Sequence, residues 1–197
     1  MSTAQANSIP SPRSTGNALP NGLLGMLLFV LTEIMVFAAF ISAYLVVSSG
    51  APEWPPADQP RLPIEATALN TLVLLLSGFF TFWANKAFFL PEQESKACKL
   101  FLIAILLGIS FVLVQSYEWI GLIHYGLTIT SGPYGSFFYL IVGGHALHAV
   151  VAITILSIAY LKMKKATLTP SEFWTGQAFW YFVVGLWPVL YWLVYLN

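Results

Sequence analysis

The sequence of 197 residues contains very little of what self-sufficient enzymes use for chemistry: one cysteine, three histidines and only 8% charged residues. The single Cys98 can neither form an internal disulfide nor supply the thiolates of an iron–sulfur or dinuclear copper centre. A glycine-rich phosphate loop, a nucleophile elbow and a CxxC pair are all absent. Basic and acidic residues are equal in number, so net charge gives no sign of a nucleic-acid partner. These shortages argue against an independent active site.

Long apolar runs are what the chain has in quantity. Hydrophobic residues make up 58% of it, and its mean hydropathy is +0.77. Because a membrane-spanning helix needs about 20 mainly apolar residues, five runs qualify: 22–48, 67–90, 98–123, 136–162 and 173–196. The sequence therefore predicts an all-α, polytopic bundle of five transmembrane helices over residues 21–197. A polar tail at 1–20, without a signal-peptide pattern, is predicted to be disordered.

The basic residues predict the orientation of this bundle. With alternating crossings, one side holds the tail, the 2–3 connection and the 4–5 connection. Seven of the eight basic residues fall on that side, and only Arg61 falls on the other. Basic connections stay in the cytoplasm, so the N-terminus is predicted to be cytoplasmic and the C-terminus to face out.

Three ionisable residues, Glu33, His145 and His148, lie deep within the predicted spans. His145 and His148 are three apart, so they are expected to share a helix face. At a rise of about 1.5 Å per residue, Glu33 lies about 16 Å and His148 about 18 Å from opposite surfaces. Ionisable residues at such depth indicate a functional site, although a purely structural cross-link between helices remains an alternative. Glu33 is predicted to be largely protonated and hydrogen-bonded to His148 or His145, because an unpaired charge is costly there.

Other polar and aromatic residues carry weaker expectations. Glu118 lies beside Trp119 near the outer end of the third run, where an acceptor that anchors a loop is the favoured interpretation. Trp54, in the first connection, suits the membrane interface. A bis-histidine haem needs two imidazoles on opposite faces of the macrocycle, and a zinc or copper site needs three or four ligands. The chain is therefore predicted to bind no haem or metal of its own.

Six segments, in order, give the chain its resemblance to a known family. They read GMLLFVLTEIMVF at 25–37, EWPP at 53–56, LNTLVLLLSG at 69–78, VQSYEW at 114–119, LTITSGPYGSFF at 127–138 and GGHALHAVV at 143–151. In these segments the chain resembles subunit III of the haem–copper oxidases, in its short five-helix bacterial form. The resemblance covers nearly the whole chain from Gly22.

Two departures from that family stand out. Where its last helix usually reads Tyr-Trp-His-Phe-Val-Asp-Val-Val-Trp, this chain has Phe179 to Trp187, with Tyr181 in place of the histidine and Val184 in place of the aspartate. Any role of that His/Asp pair is therefore not carried over. The sequence also has no counterpart of the two N-terminal helices that border a lipid-filled cleft in the seven-helix form.

The resemblance implies a non-catalytic subunit of cytochrome c oxidase, in a bacterial plasma (inner) membrane. It implies packing on subunit I, which holds the haems and copper, with subunit II and other respiratory subunits as further partners. Support of proton uptake and turnover stability is implied, with phospholipid as a candidate ligand. The buried polar residues expected to matter are Glu33, His145, His148 and Glu118, and the interface or lipid candidates are Trp54, Trp119, Tyr134, Tyr181 and Trp187.

Alternatives remain at this stage. Within the family, a quinol oxidase subunit and an accessory protein of a nitric oxide reductase are the runners-up. The EWPP segment and the YGSFF start of the fourth run favour the cytochrome c oxidase branch. An independent transporter or channel would predict an internal repeat with broken helices, and no repeat is visible at the level of motifs.

Overall fold

A computed structural model describes residues 19–56 and 59–196. Regular structure in this part of the chain is entirely helical: α1 (Asn21–Gly50), α2 (Ile64–Phe88), α3 (Glu94–His124), α4 (Pro133–Lys164) and α5 (Pro170–Tyr195), with a 3-10 turn at Pro91–Gln93. Each of the five helices is long and apolar enough to cross a membrane. The predicted all-α membrane bundle is confirmed. The predicted N-terminal tail lies outside the described residues, except for its last two.

The helices begin earlier than the apolar runs do. α2, α4 and α5 start three residues before the predicted positions, and α3 starts four before. Pro133 and Pro170 occupy the first turns of α4 and α5, where a missing N–H costs nothing. Thr169 and Glu172 form a capping box at the start of α5, which satisfies free backbone donors. These polar first turns extend each helix beyond its hydrophobic segment.

α5 occupies the centre of the bundle. It packs against α1, α2 and α4, while α2 and α3 form the most extensive pair. α1 lies at the periphery, since among the described residues it contacts α4 and α5 but neither α2 nor α3. Only two of its side chains, Phe37 and Tyr44, are buried. The rest of α1 is an apolar surface that suits lipid or another protein chain.

The two ends of the bundle are named here after the predicted orientation. The outer end comprises residues 51–56, 59–63 and 125–132 and the end of α5. The inner end comprises the start of α1 and connections 89–93 and 165–169. At the inner end, an ion pair between Lys162 and Glu172 joins α4 to α5. At the outer end, Gly132 immediately precedes α4 and has φ of 114°, a backbone conformation that is essentially restricted to glycine.

The orientation itself stays a prediction, and single cysteines test it. Thr130 and Thr167 are exposed in connections at opposite ends. In intact cells carrying Cys98→Ser, a membrane-impermeant thiol reagent should label Thr130→Cys directly. It should label Thr167→Cys only after the membrane is permeabilised, because the basic connections are expected to stay inside. Labelling of position 167 alone from outside would mean that the bundle is inverted.

Candidate functional site

Glu33 lies at mid-length of α1 and is the only charged residue of that helix. Its carboxylate oxygen Oε2 is 3.0 Å from Nε2 of His148 on α4. The side chains are 17% and 19% exposed, respectively, so the pair lies just beneath the surface of the bundle. The predicted hydrogen bond between Glu33 and one of the two histidines is confirmed, and its partner is His148.

The other ring nitrogen of His148, Nδ1, limits which atoms of the pair can carry protons. Nδ1 is 2.7 Å from the carbonyl oxygen of Gly144, one turn earlier on α4. A carbonyl oxygen can only accept, so Nδ1 carries a proton. Nε2 therefore either accepts from a protonated Glu33 or, in an imidazolium, donates to a carboxylate. Both arrangements are neutral overall, and each holds one proton between Nε2 and Oε2.

Aromatic rings surround this pair. The centroids of Phe37, Phe179 and Phe182 lie 5.5, 6.1 and 6.2 Å from that of the His148 ring. These rings enclose the contact on the sides of α1 and α5. Apart from the carbonyl oxygen of Gly144, neither side chain of the pair has another hydrogen-bond partner among the described residues.

An apolar groove leads from the surface of the bundle to the pair. Its volume is about 200 Å³, and it runs between α1, α4 and α5. The lining residues are Met26, Phe29, Leu147, His148, Val151, Ile155 and Phe179. His148 is the one residue in this set with a polar side chain. Of the pair, His148 thus lines this groove directly.

His145 belongs to a different environment from His148. It is 1% exposed, and its ring lies 5.0 Å from Trp187 and 6.5 Å from Phe111, centroid to centroid. Within the described part of the chain neither of its ring nitrogens has a hydrogen-bond partner. The expectation that both histidines lie beside Glu33 is therefore correct only for His148. A spacing of three residues rotates the side chains by about 60°, enough to direct them to different helices.

Glu118 connects α3 to α2 near the outer end. Its Oε2 lies 2.9 Å from the hydroxyl of Thr67, which also lies 2.8 Å from the carbonyl oxygen of Pro63. Pro63 immediately precedes α2, so this contact fixes the end of the first connection. The arrangement agrees with the predicted role of Glu118 as a loop-anchoring acceptor.

Two of the five interface candidates are not on the surface of this chain. Trp187 is 1% exposed and Tyr134 is 4% exposed. Trp187 Nε1 donates to the Thr71 hydroxyl at 2.8 Å, so its polar edge is satisfied within the core. Tyr134 packs against Trp54 at the outer end, with ring centroids 5.3 Å apart. The burial of these two side chains was not visible in the sequence, because apolar neighbours on every side conceal which face a residue occupies.

The other three candidates do reach the surface. Tyr181 is 37% exposed, and Trp54 and Trp119 are half-buried. Trp54 donates from Nε1 to the Tyr44 hydroxyl at 3.0 Å, which ties the first connection to α1. Contacts of these three residues with lipid or a partner remain predictions.

A row of buried polar residues on α2 escaped prediction. Asn70 donates to the carbonyl oxygen of Phe111, and Ser77 donates to that of Ala104. Gln177 on α5 donates to the carbonyl oxygen of Thr81. The sequence did contain a pattern that indicates this row. Polar residues recur on α2 at 67, 70, 71, 77 and 81, which is the spacing of one helix face. Such bonds join apolar helices that have little hydrophobic reason to associate in lipid.

Metal-binding groups are sparse in the described residues. No three histidine, cysteine, aspartate or glutamate side chains lie together there. The Glu33–His148 pair supplies two donors, one of which already holds the shared proton. This donor set does not fit a structural or catalytic metal ion.

Comparisons with known proteins agree on one family. Residues 14–197 match the family model described as "Cytochrome c oxidase subunit III". A "Probable cytochrome c oxidase subunit 3" of Rickettsia conorii (strain ATCC VR-613 / Malish 7) is 34% identical over 194 residues, covering 88% of this chain and 66% of the relative. "Cytochrome c oxidase subunit 3" of Equus caballus is 34% identical over 180 residues, and that of Homo sapiens is 34% identical over 181 residues. Each alignment covers 87% of this chain and 67% of the relative. The chain thus spans about two thirds of the length of these relatives.

Proposed function

Because the chain belongs to the cytochrome c oxidase subunit III family, we propose that it is the non-catalytic subunit III of a respiratory haem–copper oxidase in a bacterial plasma membrane. It packs on subunit I, which holds the haems and copper, in a complex that also contains subunit II. Its own contribution is to stabilise subunit I, to hold phospholipid and to support proton uptake during oxygen reduction. The match over residues 14–197 supports this assignment.

The Glu33–His148 contact is the observation that supports the proton-related role. The two atoms, 3.0 Å apart, share one proton at mid-membrane depth, where groups that exchange protons are rare and usually functional. The pair joins α1 to α4 beside a groove open to the membrane face. Whether the proton sits on Glu33 or on His148, the pair is neutral. Its proton can therefore shift between the two atoms without creating a net charge in lipid.

Purification of the native complex tests the proposed membership. We expect the chain to co-purify with a haem- and copper-containing complex that oxidises cytochrome c. The chain purified alone should show no haem spectrum. Oxidation of quinol, but not of cytochrome c, by the same complex would instead establish the quinol oxidase alternative. Recovery of the chain without any redox partner would contradict the proposal.

Glu33→Gln tests the role of the pair. The amide keeps the shape and a donor to His148 Nε2 but removes the exchangeable acid proton. The complex should assemble normally and differ in proton uptake or in activity lost over many turnovers. With the shared proton on Glu33, as predicted, an infrared spectrum of the parent should show a carboxyl C=O band that Glu33→Gln abolishes. Glu118→Gln is the matched control, and it should leave that band in place.

Glu33→Ala separates packing from proton chemistry. Besides removing the acid proton, this substitution should weaken the contact between α1 and α4. It leaves a cavity and an imidazole nitrogen without a partner, and the loss of that partner costs about 1–3 kcal/mol of stability. An activity loss in Glu33→Ala that Glu33→Gln does not share would assign the role of Glu33 to packing. A loss of equal size in both variants, with normal assembly, would assign it to the proton.

A further inference from the structure

A small cleft lies between α3, α4 and α5, away from the Glu33–His148 pair. The volume open to the centre of a water-sized sphere is about 10 Å³, close to the minimum of about 10–15 Å³ that one water needs. The lining residues are Phe111, Val112, Gln115, Ser116, Trp119, Val142, His145, Ala146 and Trp187. By helix rise, His145 lies about 18 Å from the start of α4, deep within the span.

Three of the lining residues carry buried polar atoms that have no partner. In the described part of the chain, Gln115 Oε1, Trp119 Nε1 and both ring nitrogens of His145 are buried and make no hydrogen bond. His145 and Gln115 are 1% and 3% exposed. Each buried polar atom without a partner costs about 1–3 kcal/mol, and such atoms are normally paired in folded proteins. Four of them around one cavity indicate a ligand.

The amide of Gln115 supports the same conclusion in either orientation. Its Nε2 donates to the Tyr195 hydroxyl at 3.0 Å. If the amide were turned over, its oxygen would face Tyr195 and its NH₂ group would be left without a partner. One polar end of Gln115 therefore faces away from Tyr195 in both cases, and Gln115 lines the cavity.

We propose that this cavity is a hydration site that binds one water molecule among His145, Gln115 and Trp119. The indole N–H of Trp119 donates to the water oxygen. The water donates one proton to Gln115 Oε1 and the other to the unprotonated nitrogen of the neutral His145 ring. A buried water typically makes about three such bonds. The ligand must both donate and accept, which excludes an apolar occupant. The lining has no acidic or basic side chain apart from His145, so an ion has no counter-charge.

Gln115 also gives the site a connection to the outer end of the bundle. The Tyr195 hydroxyl that it contacts belongs to a residue that lines a larger pocket of about 260 Å³, together with Tyr44, Trp54 and Arg61. That pocket lies at the outer end, where Trp54, Pro55, Arg61 and Leu62 of the first connection contribute to its lining. A bound water would thus join α3 and α4 directly and, through Gln115 and Tyr195, α5.

A density map of the intact complex tests the proposal, at a resolution at which other internal waters are seen. We expect a single peak at hydrogen-bonding distance, about 2.7–3.2 Å, from a His145 ring nitrogen and from both Gln115 and Trp119. No peak, or elongated density of an acyl chain, would overturn the proposal. The map of the unmodified chain is enough to decide between these outcomes, so the test does not depend on whether a variant folds.

Two variants identify the groups that hold the water. Trp119→Phe removes the donor and Gln115→Leu removes the acceptor, and each should abolish or weaken the peak. Trp83→Phe is the matched control, because Trp83 is 45% exposed on α2 and does not line the cavity. A peak of unchanged height in both Trp119→Phe and Gln115→Leu would show that these residues do not bind the water, contrary to the proposal.

Discussion

Replacement of Trp187 with alanine should lower the free energy of unfolding of the chain by about 3–5 kcal/mol, the usual cost of removing a buried aromatic ring. Trp187 is 1% exposed at the centre of the bundle. Its ring lies 5.0 Å from both Phe111 and His145, and its N–H donates to Thr71. The substitution therefore opens a cavity where α2, α3, α4 and α5 meet, and it removes a hydrogen bond between α2 and α5.

Trp192 supplies the matched control on the same helix. It is 62% exposed, so Trp192→Ala should change stability by less than about 0.5 kcal/mol. Thermal unfolding of the purified chain in detergent would measure both. At about 2–4 °C per kcal/mol for a chain of this size, Trp187→Ala should lower the midpoint by roughly 6–20 °C. Equal shifts in the two variants would show that Trp187 is not part of the core.

Gly108→Leu should be the most disruptive small-to-large change on α3. A Cβ atom at this position would lie 2.9 and 3.1 Å from two ring carbons of Trp180 and 3.4 Å from Ile153. Trp180 is fully buried, so its ring cannot move aside without displacing the core. Overpacking of this kind costs typically about 1–3 kcal/mol and occasionally more. We expect the upper part of that range, because leucine adds three carbons beyond Cβ.

Gly121→Leu is the comparison for this prediction. Gly121 is on the same helix, and a Cβ there would have no heavy atom within 4 Å. The substitution should be neutral or slightly stabilising, since leucine is a better helix former than glycine by up to about 1 kcal/mol. Thermal unfolding in the same detergent measures both variants. If Gly108→Leu unfolds at the same temperature as Gly121→Leu, α3 and α5 do not approach each other as closely as described.

The sequence was sufficient to predict the helices because their length and apolar composition are local properties. The link between Glu33 and His148 was also predictable, because both residues are ionisable, lie at similar depth and have few other polar groups available. The same reasoning could not predict which of His145 and His148 contacts Glu33. The neighbour that each imidazole meets depends on how α4 is rotated against α3, α5 and α1, and rotation is a property of the packed bundle.

Trp187 and Tyr134 show that burial could not be predicted from the sequence in the same way. In a soluble protein a buried tryptophan stands out, because the opposite helix face is polar. Here both faces of α5 are apolar, since one meets protein and the other is suited to lipid. Hydrophobicity therefore cannot distinguish core from surface. The buried polar stripe on α2 carried the missing information, because hydrogen-bonding side chains mark the face that meets other helices.

The peripheral position of α1 has a consequence for how the chain is made. Of the five helices α1 is synthesised first, yet its protein contacts are to α4 and α5, which leave the ribosome last. Until α4 enters the membrane, Glu33 has no His148 to share a proton with. An unfinished chain thus exposes an unpaired carboxyl group to lipid, and the finished chain does not. The Glu33–His148 pair can consequently close only after α4 has entered the membrane.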